Sequence, residues 1–238
     1  MLRLDLTLDD PALNLAFDEA LLDEAESGRL GDLLRLWQFC QTVVVLGRSS
    51  KYHNEIQSTN CRHAGVPVLR RSSGGGAIVA GPGCLLYSLI LSFERHPELR
   101  AINVLHQWVM ERIVRALRPL AGEIGWQGVC DVTIGGWKIS GNSVRIGRSA
   151  ALYHGTVLCS MDLASVDSLL GVAIRQPAYR EGRPHQSFMA NLAISPVEAA
   201  EAIAVEFDAN VPQIEIPLSQ AEQLAANRYR DPAWTTRH

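Results

Sequence analysis

Apolar residues Leu13, Ala16, Phe17, Ala20 and Leu21 recur at helical spacing, which predicts a helix over residues 11–26. Asp10 supplies an N-cap and Pro11 the favoured first helical position. The period then changes. Residues 33–39 and 42–46 read as two strands, the second carrying the β-branched run Val43-Val44-Val45, with Cys40-Gln41 fitting a tight turn between them. Residues 67–69 read as a third short strand that runs into Gly74-Gly75-Gly76. After the turn Gly81-Pro82-Gly83, residues 85–93 form an apolar run typical of a buried strand. Ile102, Leu105, Val109, Ile113 and Leu117 line one face of a second helix over 102–117.

The middle of the chain is strand-like again over 130–134, 137–140 and 151–159, and Gly135-Gly136 signals a hairpin between the first two. A short helix is expected at 163–170, a polar loop at 176–185, and helices at 196–207 and 219–229. Strand groups interrupted by helices predict an α+β fold with a mostly antiparallel central sheet packed against helices, without the regular alternation of a Rossmann fold. No internal repeat, low-complexity segment or linker interrupts residues 1–238, which are read as a single domain.

Composition narrows the classes. With 238 residues, 47% of them hydrophobic, a sizeable core can form. The net charge of −3 argues against a general nucleic-acid binder. Five dispersed cysteines without a CxxC pair read as reduced thiols, and no structural metal is expected. No signal peptide or run of about 20 apolar residues is seen, so a cytoplasmic protein without a membrane partner is the expectation.

Three stretches carry candidate chemistry. In Arg70-Arg71-Ser72-Ser73-Gly74-Gly75-Gly76-Ala77, exposed amides of a glycine turn can cradle an anion, and arginine adds a fork of donors for phosphate or carboxylate. A flexible surface turn with two solvated arginines fits that stretch as well. It is neither a P-loop nor GxGxxG. In the stretch from Asp131 through Gly135-Gly136-Trp137-Lys138-Ile139-Ser140-Gly141-Asn142-Ser143, alternation places Lys138 opposite its apolar neighbours. That suits a solvated strand lysine, but the glycines around it suggest something approaching the backbone. His154-Gly155-Thr156 follows in a strand, where a lone histidine is a base, a ligand or an ordinary hydrogen-bonded residue.

Taken in order, these stretches resemble the biotin/lipoate protein ligase superfamily, in its lipoate–protein ligase and octanoyltransferase branch. The likeness runs from about Asn14 to Leu192. It begins with Asn14-Leu15-Ala16-Phe17-Asp18-Glu19-Ala20-Leu21 and continues through Leu36-Trp37 and Val44-Val45-Leu46-Gly47-Arg48. The glycine stretch, the lysine motif and His154-Gly155-Thr156-Val157-Leu158 then follow in the family's order.

The resemblance implies ATP-dependent activation of lipoate to lipoyl-adenylate, with Mg2+, and transfer to a lysine of a lipoyl carrier domain or a glycine-cleavage H-like protein. By the same resemblance Lys138 is the catalytic group. Arg71, Ser73, Gly74, Gly75, Gly76, Ala77, Asn142, His154, Gly155 and Thr156 would border the acyl substrate. Lys138, Asp131, Arg180, Arg183 and His185 would face the nucleotide, the last three from a loop that starts at Arg175 and meets either ATP phosphates, an acidic carrier or only solvent. Asp131 would hold magnesium or orient Lys138.

The chain departs from full-length ligases in one respect. Only 46 residues follow Leu192, little room for their additional C-terminal domain, so an accessory subunit, a compact ligase and a transferase stay open. A transferase would work through a cysteine thioester, with Cys130 and Cys159 the thiols nearest the motifs, although each also reads as a buried small residue. A lipoate-binding partner subunit with reduced catalysis is the non-enzymatic alternative. Biotin ligation is disfavoured by the lack of a GRGR-type loop, and a DNA-binding regulator by the lack of a helix-turn-helix segment.

Overall fold

A computed structural model describes residues 1–171, 176–212 and 215–238. In chain order the elements are β1 (Leu2–Asp5), α1 (Pro11–Glu26), β2 (Leu33–Trp37), β3 (Val43–Leu46), α2 (Tyr52–Glu55), α3 (Ser58–His63), β4 (Val68–Arg70), β5 (Ile78–Ala80), β6 (Cys84–Ser92), α4 (Ile102–Ala121), β7 (Ile124–Gln127), β8 (Asp131–Ile134), β9 (Trp137–Ile146), β10 (Ala150–Leu158), α5 (Val166–Leu169), α6 (His185–Phe188), α7 (Pro196–Glu206), β11 (Val211–Pro212), α8 (Leu218–Leu224) and α9 (Pro232–Thr236).

An eight-stranded sheet runs β11-β1-β2-β6-β10-β9-β8-β7, and a three-stranded sheet runs β4-β3-β5. In the large sheet only β1 pairs parallel, with β2 and β11, so the expected mostly antiparallel α+β architecture is what the chain adopts. β6 explains why its sequence is apolar without alternation. Leu86 and Ile90 enter one core while Leu85, Tyr87, Leu89 and Leu91 enter the other, so both faces of the strand are buried. α4 and α7 cover the second core. α1 and α8 cover the first, which also takes in the small sheet.

α1 spans the expected residues, and the Asp10 carboxylate accepts from Ala12 N at 2.8 Å. It is buried on nearly every side, including Asn14, Asp18 and Glu19, whose partners fix where it sits. Glu19 accepts from Arg145, Arg228 and Tyr229, drawing together the helix, β9 and the C-terminal region.

Several expectations need correction. The strands expected at 33–39 and 42–46 do not pair with each other. β2 joins the large sheet and β3 the small one, so Cys40-Gln41 is a crossing between layers rather than a hairpin turn. α4 continues through Pro119 to Ala121. A proline in the last turn gives up only one backbone bond, and Gly122, with φ +79°, ends the helix by donating to Arg118 O. β9 extends six residues past the predicted Ser140, because Asn142–Ser143 pair with Gly155–His154 of β10. The polar stretch 176–185 holds a short 3₁₀ turn, Ala178–Arg180, and meets α6 at His185; Arg175 lies outside the described residues. Among the described residues, no helix is long and apolar enough to cross a membrane.

Candidate functional site

The loop from Arg71 to Ala77 links β4 to β5, which flank β3 on either side. It passes so close over the end of β3 that a Cβ on Gly47 would lie 1.9 Å from Gly75 O. Gly75 has φ +84°. Its neighbours pin the carbonyls of all three glycines. Arg71 donates to Gly74 O and, at 3.0 Å, to Gly76 O; Ser143 Oγ donates to Gly74 O at 2.9 Å; Ser50 Oγ, its one proton shared with Glu55 Oε2 at 2.8 Å, lies 3.2 Å from Gly75 O. The amides of Gly74, Gly75 and Gly76 have no partner among the described residues, which leaves three N–H donors on a segment that lines a cavity. Amides left open in this way can cradle an anion; the three glycines are exposed, while Arg70 and Arg71 are buried rather than solvated.

The two arginines have other duties. Arg70 is fully buried and donates to Gly47 O at 2.7 Å, Ser50 O at 2.8 Å and Thr235 O, tying the loop after β3 to α9. Arg71 is also buried. Besides the glycine carbonyls it reaches Val45 O at 3.2 Å and Ser73 Oγ at 3.1 Å, so it shapes the glycine loop while contributing to the cavity wall. Burial pushes its guanidinium down to about 10, which leaves it charged at neutral pH.

The hairpin turn between β8 and β9 carries Gly135 at φ +54° and Gly136 at φ +82°. Thr133 pairs with Lys138 but Val132 pairs with Ser140, so a bulge at Ile139 breaks the simple alternation. Lys138 Nζ lies 2.7 Å from Asp131 Oδ1. A Cβ on Gly141 would meet that Nζ at 2.8 Å, so the glycine three residues after the lysine is the space the lysine occupies.

β10 completes the site. His154 Nε2 is 2.6 Å from Ser73 Oγ, and its Nδ1 is 3.5 Å from Asp18 Oδ2. Asn142 lies over Gly155, where a Cβ would be 1.8 Å from Asn142 Oδ1; it accepts from Tyr87 OH and donates to Cys130 O at 2.7 Å. Thr156 Oγ1 sits 3.4 Å from Gly141 O.

These elements enclose a cavity of about 750 Å³. Leu15, Trp37, Phe39, Val79, Leu158 and Leu170 give it an apolar wall. Lys138, Asp131, Arg180, His185, Asn142 and the glycine loop give it a polar one. Arg71, Gly74, Gly75, Gly76, Ala77, His154, Gly155 and Thr156 line it as well, whereas Ser73 lies behind the lining, bonded to His154. Arg180 is buried against Phe188, and His185 is held by Asp167 Oδ1 at 2.8 Å; burial lowers the pKa of both. Arg183 is not part of the lining. Its donors go to Gly136 O, Tyr179 O and Arg180 O at 2.9–3.1 Å and to Ser187 O at 3.3 Å, a tie to the hairpin and to α6.

None of the five cysteines lines the cavity. Burial pushes the thiols of Cys130 and Cys159 up to about 11, the opposite of an activated nucleophile. Among the described residues, no group of three or more His, Cys, Asp or Glu side chains comes together in a metal-binding arrangement.

The sequence reading passed over Asp18, Arg35, Glu55 and Tyr179. For Asp18 and Arg35 a signal existed: charged residues inside an apolar helix and between the leucines of a strand need buried partners. They find each other at 2.7 Å. Glu55 accepts from Ser50 Oγ and Ala77 N, bracing the far side of the glycine loop.

The sequence pattern of the lipoyl protein ligase A/B catalytic domain matches residues 10–205. A putative lipoate–protein ligase A of Aeropyrum pernix is 31% identical over 167 residues, which cover 70% of this chain and 61% of that protein, so the match spans less than two thirds of that relative. Octanoyltransferase LipM of Carboxydothermus hydrogenoformans is 28% identical over 95% of this chain and 94% of its own length. Among solved structures, the bipartite lipoate protein ligase of Thermoplasma acidophilum, described together with its E2 lipoyl domain, superposes with a TM-score of 0.82 at 21% identity, covering 99% of this chain and 95% of that one; the likeness is one of fold.

Proposed function

Since the chain belongs to the lipoyl protein ligase A/B catalytic-domain family, we propose that it is an ATP-dependent lipoate–protein ligase whose catalytic group is Lys138. A carboxylate oxygen of lipoate attacks the α-phosphorus of ATP, and pyrophosphate leaves with the electrons of the broken P–O bond. The amine of a carrier lysine then attacks the acyl carbon, AMP leaves, and the amine gives up a proton. In both steps negative charge grows on phosphate and carbonyl oxygens. An ammonium and amide donors placed at those oxygens lower that cost, and removing one such donor typically costs about 10²–10³ in rate.

The carrying observation is that Lys138 and the free amides of Gly74–Gly76 share a cavity with an apolar wall suited to an acyl chain and dithiolane, and that no thiol reaches it. Arg180 and His185 stand on the polar side, where they would meet nucleotide phosphates. The carboxylates in the lining have partners already: Asp131 holds Lys138 and Tyr179, and Glu55 accepts from Ser50, Lys51 N and Ala77 N. Magnesium therefore enters, in this reading, with ATP as part of the co-substrate. The acceptor is a lipoyl carrier domain or an H-like protein.

The end-to-end match with an octanoyltransferase favours a second reading, acyl transfer through a cysteine thioester. The positions of the five thiols speak against it. The test offers a lipoyl-domain acceptor either lipoate with MgATP or an octanoyl-carrier thioester without ATP. Transfer that requires ATP, releases AMP and fails in Lys138→Met supports the ligase. Transfer from the thioester that survives without ATP and is lost in Cys130→Ser overturns it.

A further inference from the structure

Asp131 is shared between two donors that come from different parts of the chain. Its Oδ1 pairs with Lys138 Nζ at 2.7 Å, and its Oδ2 accepts from Tyr179 OH at 2.8 Å. Lys138 belongs to β9, while Tyr179 lies in the 3₁₀ turn before α6. That turn is anchored on the hairpin by other bonds. Arg183 donates to Gly136 O at 3.1 Å, Ala190 N donates to Lys138 O at 3.0 Å, and the Tyr179 ring packs on Phe188 at 5.2 Å. A Cβ on Gly128 would lie 3.6 Å from the Tyr179 ring, so the ring is also held from the β7–β8 side. Burial and the Asp131 charge both raise the phenol pKa, keeping it a neutral donor at any working pH.

An ammonium already paired with a carboxylate has to loosen that pair to serve an incoming anion. Asp131 would then stay behind, only 15% exposed, without its counter-ion. A partly buried carboxylate with no partner is costly, whereas one that keeps a strong hydrogen bond is tolerable. We infer that Tyr179 is a positioning residue that holds Asp131 while Lys138 shifts from it to the anionic substrate, so that Asp131 acts as a placeholder for the substrate's own charge. This rests on the reading of Lys138 as the anion-binding group. It also joins occupancy of the lysine to the segment that carries Arg180 and His185.

Two measurements test it. In steady-state assays with lipoate, MgATP and a lipoyl-domain acceptor, Tyr179→Phe is expected to raise KM for the anionic substrates about tenfold, with kcat changed by about twofold or less. The same change made in an Asp131→Asn background is expected to have no effect on KM. Separately, the Tyr179 13Cζ resonance, assigned by its loss in Tyr179→Phe, reads the phenol's hydrogen bond without turnover. It is expected to shift when lipoate and MgATP, or inorganic pyrophosphate alone, are added. Ligand-free Lys138→Met should already lie near the shifted position. A KM effect of Tyr179→Phe that persists in Asp131→Asn overturns the inference, as does a resonance indifferent to Lys138→Met. A wild-type protein that forms no adenylate but shows the Lys138-dependent shift with pyrophosphate refutes the ligase reading and leaves the placeholder standing.

Discussion

The Ser73 hydroxyl and the His154 imidazole meet at 2.6 Å, joining the glycine loop to β10 across 81 residues of sequence. Asp18, 3.5 Å from Nδ1 on the other side of the ring, favours the tautomer that carries its proton on Nδ1, in which Nε2 accepts from Ser73. Arg71 Nε donates to the same Ser73 oxygen. The loop is thus held from the strand and from its own arginine at one atom. His154→Phe takes a partner from two buried groups and is expected to cost about 1–3 kcal/mol, with His154→Gln recovering part of it. Urea midpoints at unchanged m-value read the difference. Equal midpoints for wild type and His154→Phe would show that the bond fixes nothing.

Behind this pair, Asp18 and Arg35 form an ion pair with both side chains almost wholly enclosed. Burial pushes the Asp18 carboxyl up, but Arg35, His154 and Ser88 outweigh it and hold it below the usual value. The folded state therefore binds this proton more weakly than the unfolded chain. Its stabilisation is present above the unfolded pKa of about 3.9 and is lost as pH falls through the depressed value. Arg35→Met reverses the sign, because a buried carboxylate without its cation prefers to be neutral. The variant is expected to lose about 3–5 kcal/mol at pH 7 and less at pH 4–5, where Asp18 can take up a proton. Thermal unfolding of both proteins across that range checks it. A gap that stays constant with pH would rule the explanation out.

Gly47 and Gly74 make opposite predictions although both border the loop. A Cβ on Gly47 falls 1.9 Å from Gly75 O, whereas one on Gly74 meets nothing within 4 Å. Gly47→Ala should displace the loop, cost about 1–3 kcal/mol through overpacking, and weaken lipoate binding. Gly74→Ala should keep the fold and leave the melting temperature nearly unchanged. Calorimetric melting and lipoate titration separate the two, and matching losses would contradict the geometry.

What could be read before the fold was known follows the range of each interaction. α1, β3 and β6 were legible because their signals are local: an N-cap with proline, a β-branched strand, an apolar run. The site motifs were legible in part. Gly141 gives room to a lysine three residues earlier, and Gly155 gives room to Asn142 on the neighbouring strand, so their glycines carry the packing into the sequence. The destination of β2 and β3 was not legible, because two residues between two strands fit a hairpin and a change of layer equally well. Arg71 read as a fork of donors for an anion; that it also holds carbonyls of its own loop and of β3, and Ser73 Oγ, needed the fold. Tyr179 gave no signal, since its partner Asp131 is 48 residues away in a different element.

Cys130 decides between the two chemistries the family contains. Its Sγ donates to Asn142 O at 3.1 Å, and burial first, then the neighbouring Asp131, push the thiol up to about 11 against the pull of Lys138. At pH 8 the thiolate is then about one part in a thousand, too little for an efficient nucleophile or for fast alkylation. Cys130→Ser keeps a donor for Asn142 O, so ATP-dependent transfer should stay within about twofold of wild type. The raised pKa also has a stability consequence. The folded state favours the neutral thiol, so its contribution is complete below the unfolded pKa of about 8.5 and is lost as pH rises from there toward 11. Alkaline destabilisation should be less steep in Cys130→Ser, which has no thiol to ionise at this position. Iodoacetamide labelling at pH 8, followed by mass spectrometry, and melting curves from pH 7 to pH 10.5 give the two readings. A folded Cys130→Ser protein that has lost transfer, together with rapid labelling of Cys130 in the wild type, would place the thiol at the centre of the reaction and Lys138 in support of it.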